Sequence, residues 1–225
     1  GTACVYHQGK PIVYKLEENL PVFTGDTLLT GEKSGLTLKM PDDSILVLAA
    51  QTKLTIDRAM LRMNVRDTVL QLFFGRIRAL VKKLSGKYTV WTPTVFLGVR
   101  GTDFAMAAAP APFDRSDDEL LKKKRPAEFL TAVLTGGDQS TIELKGRSGP
   151  PIIMKPLSVA GVQGESRAGE AVYVGSAAQD LLRRIAPLPD VRPDFPPMTV
   201  PSHRPCLPFS EKIRPDRLKF FRVCE

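Results

Sequence analysis

Apolar residues recur at every second position through much of the first half of this chain, and that period admits strands far more readily than helices. Leu36, Leu38 and Met40 alternate with Thr37 and Lys39 before Pro41-Asp42-Asp43 turns the chain. Ser44-Ile45-Leu46-Val47-Leu48 is too apolar for a half-exposed strand and reads as a central one. Leu54 and Ile56 alternate with Lys53, Thr55 and Asp57, and Leu70, Leu72 and Phe74 alternate with Gln71. Beyond Gly75 the pattern resumes, with Ile77, Ala79 and Val81 set against Arg76, Arg78 and Lys82. Short alternating runs with a turn signal every eight to twelve residues or so specify an all-β domain. An antiparallel β-sandwich of jelly-roll type and a short β-solenoid both satisfy the pattern.

The alternation breaks over residues 107–127, which read as an insertion at a loop tip. Ala107-Ala108-Ala109-Pro110-Ala111-Pro112 looks like a semi-rigid spacer, and Asp114–Arg125 like a charged excursion with a helix over Asp117–Lys124. Strands return at Phe129–Leu134, Thr141–Leu144, Ile152–Met154, Leu157–Val159 and Ala171–Val174, with Gly136-Gly137 as a turn. Ser176 is placed to cap one short helix, Ala177–Arg184, whose basic residues fall at its C-terminal end. From Pro187 onward, prolines at 189, 193, 196, 197, 201, 205, 208 and 215 forbid regular structure over most of the tail. Two segments are therefore expected: a β domain over 1–186 and an extended Pro-rich tail over 187–225. Phe195, Phe209, Phe220 and Phe221 give that tail apolar anchors for docking, on its own domain or on a neighbour.

Net charge is +8, which raises nucleic acid as a partner. The cations are scattered, however, and the one dense run, Lys122-Lys123-Lys124-Arg125, sits beside Asp117-Asp118-Glu119. Arg76, Arg78 and Lys82 form a basic stripe that solvation alone explains. Peptidoglycan, anionic lipid or an acidic protein suits such a chain better than nucleic acid. No stretch approaches the roughly 18 to 20 consecutive apolar residues that cross a membrane as a helix. With no basic, then apolar, leader at its start, the chain is read as an exported form whose signal has been removed.

Cys4, Cys206 and Cys224 leave several redox states open. A Cys206–Cys224 bridge in an oxidising compartment would add on the order of 3 kcal/mol in the chain-entropy view. A bridge from Cys4 to a tail thiol and three reduced thiols are the other two. No Cys-x-x-Cys pair occurs, and His7 and His203 are too few for a zinc site. Nucleophile elbows, phosphate-cradling glycine loops and dinucleotide fingerprints are missing too, so neither enzyme nor cofactor is expected. Asp42 and Asp43 read as turn residues.

The sharpest local feature is Gly98-Val99-Arg100-Gly101-Thr102-Asp103-Phe104, which follows the strand-like run Tyr88–Pro93. Gly101 can take positive φ, Arg100 and Asp103 can neutralise each other, and Phe104 returns the chain to the core. These residues form a structural turn rather than a reacting centre. The run also resembles the signature of the FecR periplasmic domain. Thr24–Gly31, Leu38–Ser44 and Leu70–Arg78 follow that family's order, so the resemblance covers residues 10–109 and extends to about 175.

The resemblance implies a periplasmic or envelope-associated protein that works through contacts with other envelope proteins. Because no helical segment, membrane span or small secretin-type domain flanks the β region, the first expectation is a scaffold or adaptor in a secretion, motility or filament assembly. A signalling or sensor component of a FecR-type receptor pathway is the alternative. A carbohydrate- or peptidoglycan-binding module comes third.

Overall fold

The computed structural model describes residues 1–8, 13–17, 20–110, 129–137, 141–164 and 166–185. In chain order the strands are β1 (Ala3–Tyr6), β2 (Val13–Lys15), β3 (Thr27–Thr30), β4 (Leu36–Lys39), β5 (Ile45–Leu48), β6 (Lys53–Arg62), β7 (Val65–Leu80) and β8 (Ser85–Trp91). They continue as β9 (Val95–Val99), β10 (Asp103–Pro110), β11 (Phe129–Thr135), β12 (Ile142–Gly146), β13 (Ile152–Met154), β14 (Ser158–Gln163) and β15 (Val172–Tyr173). One helix, α1 (Ala177–Ile185), follows.

The strands form two layers that share β7. Its first half lies between β6 and β8, in a layer running β2-β1-β3-β6-β7-β8-β9-β12-β13. Its second half lies between β5 and β10, in a layer running β4-β5-β7-β10-β11-β14-β15. Gly75 makes the crossing possible. At φ 102° it lets the strand slip by one residue, so the buried set changes from Leu70 and Leu72 to Ile77, Ala79 and Val81. A Cβ there would sit 2.4 Å from the Thr52 Cα. The Thr52 hydroxyl meets the interrupted ladder, accepting from Arg76 N at 3.0 Å and donating to Arg76 O at 3.2 Å. Phe74, in the slip, is left partly exposed.

Every pairing among the described residues is antiparallel except β7 with β8. From the end of β7 in the second layer the chain crosses back and lies beside its own beginning, with Val65 opposite Ser85. The domain is thus a two-layer antiparallel structure that contains one solenoid-like circuit. Between the layers lies a single apolar core, with Leu28, Leu54, Leu70, Leu72, Val90 and Leu97 facing Leu46, Leu48, Ile77, Phe104 and Met106. Burying each such side chain contributes about 1.5–3 kcal/mol relative to leaving it in water. A smaller cluster forms where Ala178 and Leu182 of α1 cover Ala105 and Leu134 on the outside of the second layer.

Two expectations need correction. Ala107–Pro110 are strand rather than spacer: Ala107 and Ala108 are paired with β7 on one edge and β11 on the other, and Ala109 and Pro110 continue the pairing with β11. The helix runs one residue beyond Arg184, to Ile185. The proposed helix over 117–124 and the tail over 187–225 lie outside the described residues.

Candidate functional site at the Arg-Gly-Thr corner

β9 ends in the first layer and β10 begins in the second, so Arg100-Gly101-Thr102 is a crossing between layers. Gly101 takes φ 101°, and a Cβ on it would lie 2.6 Å from the Lys83 Cα. The corner therefore rests directly on the neighbouring crossing, Val81–Leu84. Val81 N donates to Thr102 O at 3.0 Å, tying the two corners together. Phe104 then enters the core, edge-on to Tyr88 with ring centroids 6.4 Å apart.

Asp103 does not pair with Arg100. Its carboxylate accepts from Nε and Nη2 of Arg78 at 2.9 and 2.6 Å, a forked contact that is largely shielded from water. Register explains the exchange, because Ala105 lies opposite Arg78 and Asp103 opposite Leu80, which places Arg78 and Asp103 diagonally on one face. Arg100 stays on the crossing and is exposed. Gly98 is half-buried in β9, between Thr89 and Glu143 of the flanking strands. The stripe of Arg76, Arg78 and Lys82 is split in the structure. Arg76 is exposed, Arg78 is bound to Asp103, and Lys82 bridges to Asp43 at 3.0 Å.

Behind the two corners lies a buried polar network that the sequence reading missed. Arg66 and Asp42 are both sealed from solvent and form an ion pair at 3.2 Å. Nη1 of Arg66 also donates to Lys82 O at 2.6 Å, and its guanidinium lies 5.4 Å from the Tyr88 ring centroid. Asp42 accepts from Ser44 N at 3.1 Å and from the Ser44 hydroxyl at 2.8 Å, and that hydroxyl accepts from Lys82 N at 3.1 Å. Asp42 is thus more than a turn residue, since it joins the β4–β5 turn to the Val81–Leu84 crossing. A signal was present in the sequence: Arg66 falls on the same period-two face as Thr68, Leu70 and Leu72. Burial, with the Asp42 charge adding to it, pushes the Tyr88 hydroxyl well above the ordinary tyrosine range. On the exposed side, hydrogen bonds from Lys82 and Lys39 hold the Asp43 carboxyl below its usual range.

Four carboxylates at this end of the molecule are engaged, Asp42 with Arg66, Asp43 with Lys39 and Lys82, Asp67 with Arg58, and Asp103 with Arg78, whereas Glu143, opposite Gly98, is exposed and has no ion partner among the described residues. Arg62, Lys83, Lys87 and Arg100 are exposed and have no ion partner among the described residues. No cluster of three or more potential metal-ligating side chains occurs among the described residues. Nor is any helix among them long and apolar enough to cross a membrane.

The corner and the strands that lead to it fall within a segment that matches a family model. Residues 26–118 match the family model of the FecR protein. The FecR match starts at Asp26, whereas the resemblance read from the sequence began at residue 10. Strands β11 to β15 lie beyond its end and complete both layers. Two crystal structures of a protein named as an anti-sigma factor, from Parabacteroides distasonis, are similar in fold. Each aligns at 16% identity with a TM-score of 0.46, covering 65% of this chain and 57% of the other. The chain thus spans less than two thirds of that protein's length. Among curated proteins nothing matches.

The FecR match overturns the expectation of a scaffold or adaptor in a secretion, motility or filament assembly. That expectation rested on what flanks the β region, whereas the FecR match lies within the β region itself. Of the residues singled out from the sequence, Gly98, Arg100, Gly101, Thr102, Asp103 and Phe104 come together at the corner. Cys206, Cys224, Phe195, Phe209, Phe220 and Phe221 lie outside the described residues. Cys4 is half-buried on β1, in the first layer.

Proposed function

We propose that this chain is the periplasmic signalling component of a FecR-type receptor pathway, passing on a partner's state by protein contact rather than by catalysis. The FecR match over residues 26–118 carries this reading, because that family is regulatory. The architecture supports it: two layers sharing one strand, with stacked corners braced by a buried ion pair, make a body that can be displaced as a unit. Deleting the gene and comparing transcripts with and without the pathway's stimulus tests the reading. Loss of a stimulus-dependent transcript set, restored by the wild-type gene, is the expected result. An unchanged response in the deletion strain overturns it.

A further inference from the structure

The end of the molecule that carries the Arg-Gly-Thr corner also carries the most exposed large apolar side chain among the described residues. β6 and β7 join through Met63-Asn64, with φ 47° and 63°, a two-residue turn in which both positions are left-handed. Asn suits such a position and glycine suits it better, whereas Met is a strained choice there. Met63 is 99% exposed, and Val65 beside it is 51% exposed. A strained and wholly exposed apolar residue at a hairpin tip calls for a reason outside the fold.

The surroundings of the tip narrow that reason. Arg62 lies opposite Val65, Val65 lies beside Ser85, and Asp67 lies beside Lys87. Lys83 and Arg100 sit on the two stacked corners that adjoin Ser85. Four exposed cations therefore share one end of the domain with one apolar prong, and of the carboxylates there Asp42, Asp43, Asp67 and Asp103 are neutralised by other cations, leaving Glu143 alone against the four. From this arrangement we infer that this end docks on an anionic membrane surface, with Met63 entering the headgroup region and Arg62, Lys83, Lys87 and Arg100 facing the lipid phosphates. Such a surface asks for an apolar projection and a ring of positive charge, not for a shaped socket. An acidic protein would need a matching pocket for Met63 and would read the charge by fixed pairs. The inference does not rest on the signalling reading.

Co-sedimentation of the full chain with vesicles tests it. The probe is phosphatidylglycerol and phosphatidylethanolamine in equal parts, set against phosphatidylcholine alone. Binding to the anionic vesicles only, weakened by added salt, is the expected result. Met63→Asn removes the prong while suiting the turn, and it should weaken binding about tenfold. Arg62→Gln with Lys87→Gln should weaken it roughly twenty-fivefold, at about a fivefold loss per cation. Both variants alter exposed side chains, and Asn relieves the turn, so a melting temperature no lower than wild type is expected beside the loss. Equal binding to phosphatidylcholine, or no binding to either vesicle, overturns the inference. So does a loss in only one variant, since that assigns the contact to charge alone, as an acidic protein would, or to apolar adsorption alone.

Discussion

Asp42 and Arg66 hold opposite charges where no water reaches either, so each sets the cost of removing the other. Asp42→Ala leaves a buried guanidinium without its counter-charge and is expected to destabilise the domain by about 3–5 kcal/mol, read from urea unfolding. Adding Arg66→Met to that variant should recover most of the loss, because no buried charge then remains. A double variant as unstable as the single one would shift the credit to the hydrogen bonds with Ser44 and Lys82. Tyr88 gives this network a pH signature. In the unfolded chain its hydroxyl ionises near pH 10, roughly, while burial keeps it protonated in the fold well above that. The folded state then holds more protons, so the stability from this group is complete below about pH 10 and falls as pH rises further. Tyr88→Phe should flatten that alkaline decline when unfolding is followed across pH. An unaltered slope would show that other groups control it.

At the scale of elements, the corners fix which strands share a layer. Gly101→Val adds a branched side chain at positive φ and drives it against the Lys83 backbone. Strain and overpacking together should cost roughly 2–5 kcal/mol, seen as a lowered denaturation midpoint. A midpoint equal to wild type would mean that the two corners part easily. The turn at Gly101 and the burial of Phe104 were legible because a glycine between apolar runs is a local signal. The partner of Asp103 was not, since choosing Arg78 over Arg100 depends on a strand register that only the assembled layer defines. The strands themselves were readable from Leu36–Lys39 and Leu70–Leu72, whose alternation needs nothing beyond the chain, and from Ile45–Leu48, whose unbroken apolar run marks a strand covered on both faces. The change of phase at Gly75 looked like a plain continuation, because period two on either side of a one-residue slip is unaltered. Ala107–Pro110 misled for a related reason: small side chains and a proline resemble a spacer until backbone partners appear. Parallel pairing of β7 with β8 left no trace in composition at all.

At the scale of the whole molecule, β7 has neighbours on both edges in each layer: β6 and β8 beside its first half, β5 and β10 beside its second. It is the central strand of the first layer, and in the second it lies behind β4 and β5 on one side and β10, β11, β14 and β15 on the other, so unzipping from any outer strand reaches it only after others have left. Its peptide protons are therefore expected to be the slowest to trade with deuterated solvent. Those of Val69–Leu72 and those of Ile77–Ala79 should follow one common rate, set by opening of the whole domain. Two well-separated rates along the strand would mean that the layers breathe independently. A common rate has a mechanical meaning: a push on the Met63 tip, at one end of this strand, cannot be absorbed by one layer yielding against the other, and would reach the far side of the domain undamped.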